Sequence, residues 1–296
     1  MKRFLLKIGL VGIVFVLINF LFLFMVSIFI IEFEKTNKIS KFKNKQFDCI
    51  ITGNSLALDA FDAEYMTKNG ISSYNFAMGG ASFVSNIIQL ENFLKDNPPP
   101  KLIVLGLGSH FIDRNLDKKS VHPVIEYFYL DSKLGLETLP IVRFQWYANE
   151  MLKLLFSSDH RQAHSSYGQY RSKRAVPDKS KLKEGNANFD YQTFLASEDF
   201  KRFRKIIDKY KIDFIIFEMP LFLSQRNNHP ELRTVVVDSL LSFKIINMNR
   251  FDVCEELFNP KKDWLGNSHL NLYGGRKFTE YITNRYLKPA LKENKN

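Results

Sequence analysis

Two short stretches of the chain carry the residue types that nucleophilic acyl chemistry requires. The first is Asp48-Cys49-Ile50-Ile51-Thr52-Gly53-Asn54-Ser55. An apolar run ends in Gly-Asn-Ser, and a helix-compatible segment starts at once with Leu56, Ala57, Leu58 and Phe61, which places Ser55 at a strand-to-helix turn. There a hydroxyl projects from the carboxyl end of a strand, while backbone N–H groups at the helix start face a developing oxyanion. Gly-Asn-Ser is also ordinary turn chemistry, because Gly and Asn tolerate positive φ and Ser caps helices. A catalytic reading therefore depends on partners elsewhere. The second stretch, from Asp263 to Gly275, supplies one: His269 falls in a loop just before a final helical segment. A histidine within hydrogen-bond reach of Ser55 takes its proton during attack and returns it to the leaving group.

Two further strand ends are rich in glycine. Tyr74-Asn75-Phe76-Ala77-Met78-Gly79-Gly80 and Leu105-Gly106-Leu107-Gly108-Ser109-His110 each let backbone N–H groups approach a reacting oxygen. Gly79 or Gly80, Ser109 and Asn54 are thus the candidate oxyanion surroundings. Asp263, six residues before His269, is the nearest carboxylate to orient the imidazole; failing that, a backbone carbonyl would leave a Ser–His dyad. Asp59 and Asp62 read as the exposed face of the first helix. His160 and His164 have i, i+4 spacing, but no acidic residue completes a metal site around them. No metal or cofactor is expected.

Positioning these residues calls for a particular order of elements. Residues 1–33 are almost continuously apolar after Lys2, Arg3 and Lys7, long enough for one transmembrane signal anchor, with no small-x-small cleavage site behind it. The leading positive charges favour a cytoplasmic amino terminus and an extracytoplasmic domain, although Lys35, Lys38, Lys41, Lys43 and Lys45 follow closely on the other side. Residues 34–46 read as a polar tether. From residue 47 to 296, apolar β-like runs alternate with helical patterns, the mark of a parallel sheet with helices on both faces. The expected architecture is a three-layer α/β/α domain with a flavodoxin-like parallel five-stranded sheet. Strands are placed at 48–52, 72–77, 101–107, 212–219 and 244–248. Helices are placed at 56–68, 83–96, 194–210, 230–242 and 272–286. In a doubly wound sheet, Ser55 and His269 would meet at the carboxyl edge of the strands.

Residues 112–190 break the alternation and are too long for a simple connection. The first half is aromatic, with Tyr127, Phe128, Tyr129, Phe144, Trp146 and Tyr147, and helical over about 141–156. Arg161, Arg171, Lys173, Arg174, Lys179, Lys181 and Lys183 follow, with Asp178 among them. Such an insertion either holds an anionic or glycan substrate or is a solvated loop.

Composition excludes several classes. The chain has 296 residues, 45% of them hydrophobic, so it can bury a large core and is not a disordered protein. The net charge of +11 has no nucleic-acid motif to go with it, and reads as a lysine-rich surface. Cys49 and Cys254 are the two cysteines, with no CxxC pattern, and read as buried free thiols.

The order of these pieces resembles the SGNH/GDSL hydrolase superfamily, in which a serine follows the first strand, a glycine the second and an asparagine the third, with a late Asp-x-x-His. Gly53-Asn54-Ser55 matches the first block, Gly79 or Gly80 the second, and His269-Leu270-Asn271 with Gly274 resembles the ending of the last. The resemblance spans about 47–111 and 212–286. It is similar in particular to membrane-anchored DltD-like proteins and AlgX/AlgJ-like polysaccharide O-acetyltransferases. It departs at two positions, where Gly108 stands for the asparagine and Gly266 for the aspartate. The resemblance implies a serine-dependent acyl, in particular acetyl, transferase or esterase acting on a cell-envelope polysaccharide or other acylated substrate. A membrane partner would deliver the acyl donor. The alternative is a degenerate glycan-binding or assembly subunit of the same fold.

Overall fold

The computed structural model describes residues 1–108, 121–130, 138–149, 151–152, 167–170, 172, 190–222, 226–238, 241–266 and 268–293. The chain divides into two compact units, one made of Met1–Lys41 with Pro123–Gln162 and the other of Phe42–His122 with Ala163–Asn296.

In the first unit, helix α1 (Lys2–Phe29) is long and apolar enough to cross a membrane. It is followed by α2 (Ile31–Ser40), so the stretch expected as a tether is helical through Ser40. Phe33 on α2 packs against Tyr127, Phe128 and Phe144 at centroid distances of 5.4, 4.9 and 5.9 Å. Tyr127 and Phe128 belong to α6 (Pro123–Tyr129), and Phe144 follows α7 (Pro140–Arg143) and precedes a 3₁₀ turn, Gln145–Tyr147.

The second unit holds a mixed α/β fold. Its elements are β1 (Cys49–Gly53), α3 (Ser55–Ala60), α4 (Ala63–Lys68), β2 (Ser73–Asn75), α5 (Phe83–Asp96) and β3 (Leu102–Leu107), then α8 (Tyr191–Ala196), α9 (Glu198–Tyr210), β4 (Asp213–Glu218), β5 (Leu232–Asp238), β6 (Leu241–Asn247), α10 (Phe251–Leu257), α11 (Leu272–Ile282) and α12 (Lys288–Glu293). Among the described residues, the strands form one six-stranded sheet in the order β2-β1-β3-β4-β6-β5. All neighbours are parallel except β5, which pairs antiparallel with β6.

That edge corrects the expected five strands and the helix expected at 230–242. The run Leu232-Arg233-Thr234-Val235-Val236-Val237 is rich in β-branched side chains, which are stiff at χ1 and fit a pleated surface. The partner strand β6 begins only a few residues later, and the local alternative of a hairpin wins over a helix.

The second correction is the first helix. It is not continuous over 56–68 but breaks between α3 and α4, where Asp62 caps the second piece by accepting from the Tyr65 N–H at 2.9 Å. The whole of α3 after Ser55 is buried.

Strand alternation divides the core. Cys49, Ile51, Leu102 and Val104 join α3, α4 and α11 in one cluster through Ala57, Phe61, Met66 and Phe278. Phe83 of α5 meets Phe194, Phe200 and Phe203 of α8 and α9 in a second cluster at 5.1 to 6.0 Å. Between β2 and β3 the chain crosses from one side of β1 to the other, so the order reverses at the carboxyl ends of β1 and β3, the crevice where ligands settle in open sheets of this kind.

Candidate active site

The site is built where β1 turns into α3. Gly53 and Gly106 are register partners at the ends of β1 and β3. Gly53 has φ of +142°, and a Cβ there would lie 2.6 Å from the Gly106 oxygen and 2.8 Å from the Ala57 Cβ. A Cβ on Gly106 would meet the same Ala57 methyl at 2.8 Å. Two glycines and an alanine therefore let α3 start directly on the sheet, and this fixes where Ser55 sits.

Asn54 is the N-cap of α3, its Oδ1 accepting the Leu56 N–H at 3.0 Å. At the other end Asn75 closes the short helix: its Nδ2 donates to the carbonyls of Ala57 and Phe61, each at 3.1 Å. Asn86 holds the preceding strand, its Oδ1 accepting from the Thr52 hydroxyl at 2.6 Å and the Gly53 N–H at 3.1 Å. Two buried asparagines, Asn54 and Asn75, thus satisfy backbone groups that a six-residue helix leaves open, and a third, Asn86, fixes the strand before it.

Helix α11 brings the histidine. Gly275 packs so closely on α3 that a Cβ would lie 2.6 Å from the Asp59 carbonyl oxygen. Thr279 bridges the end of α3, accepting from the Asp62 N–H and donating to the Ala60 carbonyl at 2.8 and 2.9 Å. Just ahead of α11, Trp264 and Leu270 form a bridge, and the Leu265 N–H donates to the His269 carbonyl at 2.8 Å. Asn271 caps α11 through the N–H groups of Tyr273 and Gly274.

His269 then meets a carboxylate that the sequence reading assigned elsewhere. Its Nδ1 lies 2.5 Å from Asp59 Oδ2. Asp59 is not on an exposed helix face as expected but 5% exposed, because every α3 residue after Ser55 is enclosed, and Asp62, the N-cap of α4, is fully buried. Ser55 and Asp59 are one helical turn apart and so project from the same side of α3. Asp263 does not support His269. Its Oδ2 accepts from Lys277 Nζ at 2.6 Å and from the Asn259 N–H at 2.7 Å, tying the loop to α11 instead.

A cavity of about 220 Å³ is lined by Asn54, Ser55, Leu56, Gly80, Ala81, Ser268 and His269. The structure therefore gathers Ser55, His269, Asn54 and Gly80 at one place. Gly79 is not among the lining residues. Ser109 and His110 lie outside the described residues, as do His160, His164 and the basic run from Arg161 to Lys183. Gly108 is described, and a Cβ there would lie 2.2 Å from Leu56 Cδ1, with Asn54 Nδ2 at 3.9 Å. An asparagine at 108 would not fit without moving Leu56, and the amide beside that position is Asn54's own.

Asp59 and Ser268 were missed. The Ser55–Asp59 spacing of four was the available signal for the first; nothing in the sequence marks Ser268. Cys49 and Cys254 are both free and buried, as expected. Burial pushes the Cys49 thiol far up and the Cys254 thiol up to about 12, so neither is a nucleophile.

No family model matches the chain. No curated protein matches it either. Among solved structures it is similar to a protein from Streptococcus pneumonia provisionally described as a platelet activating factor, with 10% identity over 86% of this chain and 90% of that one and a TM-score of 0.35. A likeness of that size bears on neither fold nor chemistry.

Proposed function

We propose that this chain is a membrane-anchored, serine-dependent acyltransferase or esterase of SGNH type, acting on a cell-envelope polysaccharide through an acyl-enzyme. The observation that carries the reading is the Asp59–His269 hydrogen bond beside Ser55 in one cavity. With Nδ1 held by a carboxylate, Nε2 is the ring nitrogen left to exchange a proton with Ser55.

In the first half-reaction the Ser55 proton moves to Nε2 as Oγ bonds the carbonyl carbon of the donor ester. The carbonyl electrons collect on oxygen, facing the backbone N–H groups of Ser55 and Gly80 and the Asn54 amide. Collapse breaks the bond to the donor alcohol, which leaves with the proton from His269. The second half runs in reverse, with a sugar hydroxyl or water as acceptor. Asn54 takes the part of the asparagine that the family carries at the end of its third strand.

The five parallel strands alone run β2-β1-β3-β4-β6, which supports a flavodoxin-like, three-layer reading of the domain. The apolar α1 supports anchoring, and a site held at a membrane favours a large or membrane-linked substrate, with the domain outside the cytoplasm and a membrane partner as acyl source. The non-catalytic alternative rests on the missing aspartate and the missing asparagine at 266 and 108; the Asp59–His269 hydrogen bond and the Asn54 amide in the cavity lining support the catalytic reading over it.

The test is incubation of the full-length chain in detergent with an activated acetyl ester, followed by intact-mass analysis. A single acetyl adduct on the wild type that disappears in Ser55→Ala is expected. No adduct, or one retained in Ser55→Ala, overturns the reading.

A further inference from the structure

Helix α1 is bare along its first part and packed on one side along its second, where Phe20, Leu21 and Phe24 stay exposed. Residues 2–18 are exposed, Asn19 is the first buried position and Val26 the next. Asn19 donates from Nδ2 to the Phe15 carbonyl at 3.0 Å and accepts the Ile141 N–H on Oδ1 at 3.2 Å. Ile141 is in the first turn of α7, where a helix leaves N–H groups without internal acceptors. An amide within an apolar span is costly unless it is bonded. Asn19 and α7 satisfy each other.

At 1.5 Å per residue the bare stretch 2–18 covers roughly 25 Å, a few ångström short of a ~30 Å hydrocarbon core. If Lys2, Arg3 and Lys7 stay near the headgroups, the core must extend further still along α1. Either way, the far boundary of the bilayer falls at or beyond Asn19, at the level where α7 is docked.

The docked segment exposes several large apolar side chains beside Gln145 and Asn149. Ile141, Val142, Leu152 and Trp146 are exposed, Trp146 at 78%. The basic residue between them, Arg143, is buried, lying over the Tyr127 ring and 3.9 Å from Glu126. Tryptophan concentrates where an apolar phase meets a wet one.

We propose that the segment from Pro140 through Asn149, with Leu152, is a second membrane-contacting element, seated in the acyl-chain and headgroup boundary beside α1 with Trp146 as its anchor. The occupant of this apolar face is lipid, because the face continues the lipid-facing surface of α1 and is fastened to it at Asn19. This inference rests on the reading of α1 as a membrane span and is independent of the acyl-transfer chemistry.

The chain has two tryptophans, and the other, Trp264, is fully buried in the second unit. The full chain is reconstituted into phosphatidylcholine vesicles with and without bromine on the acyl chains. Brominated lipid should quench part of the emission, that part should vanish in Trp146→Phe, and aqueous iodide should quench little of it. Quenching of Trp146 by iodide and not by lipid overturns the proposal. So does shielding from both, which would mean a protein covers this face. As a second reading, Val142→Cys carries a nitroxide, since Cys49 and Cys254 are buried. Greater access to oxygen than to a water-soluble nickel chelate is expected, and the opposite order overturns the proposal.

Discussion

Asp59 Oδ2 lies 2.5 Å from His269 Nδ1 across 210 positions of chain, and this one contact assigns different work to the two candidate carboxylates. Asp59→Asn should lower kcat on an activated ester by about 10⁴-fold, the scale on which an orienting carboxylate acts in a Ser–His–Asp site. Asp263→Asn should leave kcat within a few-fold. It should instead cost about 1 kcal/mol of stability, because it removes the charge of a buried carboxylate whose Lys277 partner is half exposed. Steady-state kinetics and denaturant melts on both variants separate the two roles. If Asp263→Asn lost the larger share of kcat, the assignment would be reversed.

Asn54 is predicted to serve the helix and the oxyanion with different atoms. Its Oδ1 caps α3, its Nδ2 lies 3.9 Å from where a Cβ on Gly108 would stand, and Asn54 is among the residues lining the cavity. Asn54→Asp keeps an acceptor for the Leu56 N–H but replaces the donor with a negative charge. Thermal stability should change little while kcat falls by about 10²–10³-fold, the usual cost of one oxyanion donor. A loss of stability with kcat intact would restrict Asn54 to capping.

Gly275 sets how closely α11 approaches α3. Gly275→Ala would drive a methyl against the Asp59 carbonyl, so about 1–3 kcal/mol of destabilisation is expected. Activity should fall along with it, since Asp59 is on α3 and His269 is on the loop that leads into α11. Gly266→Ala is the control, having open space around the added carbon. Equal effects from the two alanines would remove the packing explanation.

Glu231 links the β5 edge to the carboxyl-terminal helices. It accepts from the Tyr286 hydroxyl at 2.6 Å and from Arg285 at 2.9 Å, and these bonds, Tyr286 first, hold its carboxyl below the ordinary glutamate range. A lowered carboxyl stabilises the fold at pH values above its unfolded pKa, and that contribution disappears as pH falls through the folded value. Glu231→Gln should therefore lower stability at neutral pH and flatten the acid limb of the stability curve. Because the site is solvent-accessible, the effect should be small and should shrink in high salt. An unchanged acid limb would show that other carboxylates govern it.

Much of this arrangement was legible along the chain. The apolar helix α1, parallel strands near 48–52, 72–77, 101–107, 212–219 and 244–248, and the placement of Ser55 and His269 at strand-to-helix turns follow from periodicity and turn chemistry. These are local signals, read within a dozen residues. The β5 edge was not legible, because Leu232–Asp238 becomes a strand only by pairing with β6, and the same apolar spacing also suits a helix.

The sequence alone determined which residues were able to do chemistry: a serine after a strand, a late histidine, glycines where backbones crowd. Only the tertiary structure decided which carboxylate joins them. Asp263 is nearer to His269 in the chain but turned toward Lys277, while Asp59 reaches it because Gly275 and Thr279 dock α11 on α3. Burial decided the same question from the other side. Asp59 looks like a surface residue in a helical pattern, and it becomes a site residue because α3 is too short and too enclosed to have a surface.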